Sequence, residues 1–189
     1  MRKKIVTFAA AFILSASAGI FATGIGPQMN SNPGFTPGYA DYPASWGFAC
    51  SVKFDSVPVY WALSTDGGYY SYKTDTSSGS VSTTLFNTTL TGDYWLMNPT
   101  INGIWKWYWG FGGAVSTSFS ANGKNFYLKA GPRAVVGMNW FFLDGFLELY
   151  AQSAIQPELE FAFGEDGTQN GVVRVPFYFP FNSGVRFWF

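Results

Sequence analysis

Phe181-Asn182-Ser183-Gly184-Val185-Arg186-Phe187-Trp188-Phe189 closes the chain. Phe181, Val185, Phe187 and Phe189 fall on alternate positions, with Asn182, Gly184 and Arg186 between them. A period of two predicts a β-strand with one apolar face, here running to the last residue. At the other end, Arg2, Lys3 and Lys4 precede an apolar stretch from about Ile5 to Ala16. That order predicts an export signal, cut after Ala18 or after Ala22. The stretch is shorter than the ~20 apolar residues of a spanning helix. An exported chain that ends on an aromatic strand points to a β-barrel in a bacterial outer membrane. The expected division is a signal peptide over 1–22 and a barrel over 23–189.

Composition supports the same class. Apolar residues make up 48% of the chain, aromatic residues 21% and charged residues only 12%, about half the usual charged share. Yet no later apolar run has helix length. Alternating strands with one lipid-facing side reconcile the two facts. Removing Arg2, Lys3 and Lys4 from eleven basic residues leaves eight against eleven acidic ones, a net charge of about −3. Nothing in this balance suggests nucleic acid. Cys50 is the single cysteine, so no internal disulfide forms, and its place in the pattern faces lipid. There is no histidine, the commonest general base and metal ligand. No catalytic residue, metal site or cofactor is expected.

Eight strands fit the length. The clearest carries Trp105, Trp107, Trp109, Phe111 and Val115 against Lys106, Tyr108, Gly110, Gly112 and Ala114. Earlier, Trp46, Phe48, Cys50, Val52 and Phe54 share one face, then Val59, Trp61 and Leu63, then Phe86, Leu90, Tyr94 and Leu96. Later, Phe126, Leu128, Val136 and Met138 alternate with Lys129, Arg133 and Asn139, and Leu147, Leu149 and Ile155 with Glu148, Tyr150 and Gln152. Asp144-Gly145 predicts a tight hairpin turn. Thr74–Ser80, Asn122-Gly123 and Glu165–Gly171 read as polar loops. Pro132, Pro176 and Pro180 fall within strand patterns, where each removes a ladder hydrogen bond. For Pro176 and Pro180 the expectation is a bulge or a place above the membrane. The predicted fold is an all-β, eight-stranded antiparallel transmembrane up-and-down barrel behind a signal peptide.

The second half of the chain also resembles a family. The stretches are Asp93-Tyr94-Trp95-Leu96, Trp107-Tyr108-Trp109-Gly110-Phe111-Gly112-Gly113, Gly131-Pro132-Arg133 to Gly137, Phe146-Leu147-Glu148-Leu149-Tyr150-Ala151-Gln152 and the terminal heptapeptide. Together they resemble small outer-membrane barrels of spirochaetes, a family of unknown function with OmpX/OmpW-type architecture. The family has a proline between the arginine and glycine of the sixth strand. Here Val135 and Val136 stand there, and Pro132 precedes the arginine. The resemblance spans about Asp93 to Phe189 and implies a fold and an address, with no catalytic residues.

Every strand charge in this reading falls on the face opposite the apolar one. Glu148, Arg133 and Arg186 come from neighbouring strands, and with Lys106 they form the expected lumen charge network. Its expected role is to fill the barrel, since eight strands enclose little more than their own side chains. Six inward basic residues against two acidic ones, Asp93 and Glu148, predict a positive lumen. The alternative role is therefore a narrow channel or carrier for small hydrophobic or anionic solutes. Val185, Phe187 and Phe189 form the expected C-terminal assembly signal. The expected partners are outer-membrane lipid, the barrel-assembly machinery and a surface ligand held by the loops.

Overall fold

Eight long strands, each antiparallel to the next, close on themselves in the computed structural model. It describes residues 23–37, 44–73, 80–121, 123, 125–164 and 173–189. The expected signal peptide, the loops at 74–79 and 165–171, and Asn122 lie outside the described residues. The strands are β1 Thr23–Phe35, β2 Ala44–Phe54, β3 Val59–Lys73, β4 Ser80–Met97, β5 Trp105–Ser120 and β6 Asn125–Phe142. β7 comprises Leu147–Pro157 and Leu159–Gly164, and β8 comprises Val173–Arg174, Phe177–Tyr178 and Phe181–Trp188. β8 pairs with β1 from Gly24↔Trp188 to Phe35↔Phe177. Thr23 and Phe189 exchange both backbone hydrogen bonds at that seam, at 3.0 and 3.1 Å. Among the described residues the eight long strands form a closed ring of pairings, as a hydrocarbon environment demands.

One end of the barrel holds Thr23, Phe189 and the connections after β2, β4 and β6; we call it the turn end. The last connection is a tight turn in which Leu143, Asp144 and Gly145 all have positive φ, 53°, 55° and 94°. The other end carries the connections after β1, β3, β5 and β7 and is the loop end. Cross-strand partners spiral upward around the wall. From Gly24 they run through Lys53, Tyr60, Asp93, Gly112, Arg133, Gln156 and Tyr178, and return to β1 at Gly34. Gly24 to Gly34 is a stagger of ten residues, which fixes strand tilt and bore together.

The prolines sit inside this ladder without a bulge. Pro176 and Pro180 still accept from Glu158 and Ala154 through their carbonyls, each at 2.9 Å, so each gives up one bond of its pair. Even-numbered β7 residues thus donate toward β8, and odd-numbered ones toward β6. Pro157 therefore presents its missing N–H to β6, opposite Pro132. Register runs unbroken past them, from Ala134↔Ile155 to Ala130↔Leu159. Register shifts lie instead near the turn end, between Trp95 and Met97 on β4 and between Thr100 and Asn102 in the connection that follows.

The barrel is inside out by the standards of a soluble domain. Among the described residues, the buried set holds twenty-four polar or charged side chains and twelve hydrophobic ones. Phe48, Leu63, Leu90, Phe111, Val136, Ile155 and Phe181 stand exposed around the outside. Such a belt is tolerable only against lipid. Phe111→Arg, near the middle of β5, should destabilise the vesicle-inserted barrel by ~2–4 kcal/mol, and Phe142→Arg, beside the turn end, by ~0–1 kcal/mol. Urea titration of the two variants in lipid vesicles measures the difference. Equal costs would contradict this placement of the belt.

Candidate functional site

The lumen is filled near the turn end and hollow toward the loop end. Glu148 on β7 lies directly opposite Arg186 on β8, and their side chains meet at 3.1 Å. Asn139 Nδ2 and Trp188 Nε1 also donate to this carboxylate, at 2.8 and 3.0 Å. Glu148 and Arg186 are both fully buried. The Arg186 guanidinium packs over Tyr150 at 3.8 Å, Tyr60 at 5.1 Å and Trp95 at 5.5 Å. Its Nε and Nη2 have no hydrogen-bond acceptor, so the ring faces supply what carboxylates do not. Tyr108 stacks on Trp95 at 3.6 Å and donates to Gln152 at 2.9 Å. The Tyr150 hydroxyl lies 2.8 Å from both Gln28 Oε1 and Ser51 Oγ, and Tyr60 also bonds Gln28. These contacts fill this part of the bore with side chains.

Arg133 does not join Glu148, contrary to the sequence expectation. It pairs with Asp93, Nε to Oδ1 at 3.0 Å and to Oδ2 at 3.2 Å, and also bonds Gln156. The reason is the residue between them. Asp93 on β4 lies opposite Gly112 on β5, and Gly112 lies opposite Arg133 on β6. A Cβ on Gly112 would stand 2.6 Å from Asp93 Oδ1 and 2.0 Å from the Gly92 carbonyl oxygen. Glycine there lets the pair bridge two strands apart. Lys106 is also separate from the network. It is half-buried near the turn end, with its amino group 4.9 Å from the Phe141 ring.

The lumen is not lopsidedly basic either. Asp66, Glu158 and Glu160 are buried and face inward, so five acidic residues meet the six basic ones. Their signal was present in the sequence. Asp66 continues the alternation of Tyr60, Ala62 and Ser64, and Glu158 and Glu160 continue that of Gln152 and Gln156. Pro157 broke the second pattern. Lys129 pairs with Glu160 at 3.4 Å and bonds the Tyr178 hydroxyl at 2.9 Å. Toward the loop end lies a chamber of about 60 Å³, walled by Asn30, Asp66, Asn87, Ser118, Glu158 and their neighbours. That volume holds a few waters or one small ligand.

These features define an outer-membrane-type eight-stranded β-barrel with a self-filled lower lumen. No protein-family model matches the chain. No curated protein resembles it significantly in sequence. Among solved structures it is similar to Neisserial surface protein A (NspA), with a TM-score of 0.55 and 13% identity, covering 89% of this chain and 99% of that one. It is also matched to Ail, the attachment invasion locus protein of Yersinia pestis, with a TM-score of 0.37, 13% identity and the same coverage. At 13% identity the likeness to NspA concerns the fold alone.

Glu148→Gln should leave the Arg186 charge buried without its carboxylate. Breaking such a pair typically costs ~3–5 kcal/mol, and replacing both members with apolar groups recovers much of it. Urea unfolding of the refolded barrel should show a large loss for Glu148→Gln and a smaller one for the Glu148→Leu/Arg186→Met double variant. An unchanged midpoint in the single variant would contradict a structural role for the pair.

Proposed function

We propose that this chain is an exported bacterial outer-membrane protein whose barrel serves as a closed platform for its surface loops. The observation that carries the reading is the plug itself. Arg186, Glu148, Tyr60 and Tyr108 are fully buried across the bore, and their partners come from β1, β3, β4, β6, β7 and β8. A residue set locked this way serves stability and leaves no path for a solute. Among the described residues, Asp66, Glu158 and Glu160 offset most of the inward basic charge, which weighs against an anion carrier.

Export through a cleaved signal over 1–22 accords with the basic, then apolar, N-terminus. Recognition by the barrel-assembly machinery accords with Val185, Phe187 and Phe189 on the closing strand. Membership of the spirochaete barrel family rests on the stretches between Asp93 and Phe189. A surface ligand would meet the loop end, where β3, β4 and β6 are longer than the ~9–11 residues a membrane strand needs. They run for 15, 18 and 18 residues. The reading contains no enzymatic step.

Conductance tests the platform reading. The mature chain, refolded and inserted into planar bilayers, should give no discrete current steps above the lipid background. Reproducible single-channel steps that Glu148→Gln alters would replace it with the channel reading.

A further inference from the structure

A second row of cross-strand neighbours crosses the loop-end half of the lumen. It runs from Asn30 on β1 through Gly47 on β2, Asp66 on β3 and Asn87 on β4 to Ser118 on β5. The row repeats the device seen around Gly112. A Cβ on Gly47 would stand 2.3 Å from Asp66 Oδ1, so the carboxylate leans over the glycine toward the next strand. Across Gly112, Asp93 finds the guanidinium of Arg133. Across Gly47, Asp66 finds only amides: Asn30 Nδ2 at 3.4 Å and Asn32 Nδ2 at 3.0 Å, with Ser64 Oγ at 3.5 Å.

Asp66 is 2% exposed and has no ion pair among the described residues. The charged groups around the chamber are committed elsewhere. Arg133 holds Asp93, Lys129 holds Glu160, and Arg174 lies opposite Glu160 in the ladder. Glu158 accepts from Gln156 at 2.8 Å and from Ser116 at 3.3 Å. Among the described residues of this half, four carboxylates, Asp66, Asp93, Glu158 and Glu160, therefore face three cations. All three cations sit on β6 and β8, each three strands away from β3. Next to Asp66, the Asn87 Oδ1 and the Ser118 Oγ line the same chamber with no hydrogen-bond partner. Ser118 is fully buried. Water would satisfy those two oxygens but would leave the buried charge uncompensated.

We propose that this chamber binds a small primary ammonium group, with Asp66 as counter-ion and Asn87 Oδ1 and Ser118 Oγ as hydrogen-bond acceptors. An –NH₃⁺ head has three donors and one charge, which matches one carboxylate and two unpartnered oxygens. The site goes beyond the closed-platform reading and does not depend on it, since it lies on the loop side of the plug.

The test uses the mature chain refolded in detergent micelles, with methylammonium chloride as the probe. At ~100 mM it should raise the thermal midpoint by about 2–4 °C beyond equal sodium chloride. Tetramethylammonium, which has no N–H, should give no such rise. Asp66→Asn should abolish the response. Asn30→Lys, which keeps the carboxylate but sets an amine across Gly47 as Arg133 stands across Gly112, should raise the midpoint unaided and also abolish the response. The Asn30→Lys chain decides the matter if Asp66→Asn fails to refold. A wild-type response matched by sodium or by tetramethylammonium, no response at all, or a full response in either variant would overturn the proposal.

Discussion

In a barrel of eight strands, every inward side chain must find its partner on another strand, because the bore is no wider than the side chains that fill it. The ion pair of Glu148 with Arg186 meets that constraint most completely. Glutamate and arginine stand directly opposite each other on β7 and β8. Asn139 and Trp188 complete the carboxylate, and three aromatic rings surround the guanidinium. Burying two charges is costly unless the remaining donors and acceptors are also matched. The tyrosines achieve this by offering ring faces to Arg186 and hydroxyls to Gln28, Ser51 and Gln152. The same side chains that compensate the charge thereby close the lumen.

Glycine is the second half of that solution. Where Gly112 and Gly47 interrupt a row of side chains, residues two strands apart can meet. At Gly112 the outcome is a neutralised pair, Asp93 with Arg133. At Gly47 it is a carboxylate solvated by amides. One geometric device thus yields a structural brace deep in the lumen and an anionic chamber wall near the loops.

Much of this was legible in the sequence. Period-two alternation gave the strands, the inward face of each charge, and the juxtaposition of Glu148 and Arg186, which needs only that β7 and β8 be neighbours. Partners across non-adjacent strands were not legible. Arg133 is one strand from Glu148 by connectivity, but the stagger sets it beside Gly112 and Asp93. Asp66 and Glu158 stand beside Gly67-Gly68 and Pro157, which look like strand ends. In the barrel, strands run on past these residues toward the loop end. Pro132 lies opposite Gly113 in the ladder, and on its other side the register places it across from Pro157, a juxtaposition no local pattern reveals.

The closed lower lumen and the open upper chamber make opposite claims about water. Cysteine accessibility separates them in a Cys50→Ser background, with the barrel in vesicles and a small charged thiol reagent on both sides. Val135 is buried in the cluster with Tyr60, Trp95, Tyr108 and Tyr150, whereas Thr89 borders the chamber. Val135→Cys should stay unmodified until the barrel is unfolded, and Thr89→Cys should react in the folded state. Rapid modification of Val135→Cys in the folded barrel would mean that the lumen conducts water through the Glu148–Arg186 layer, contradicting the filled bore.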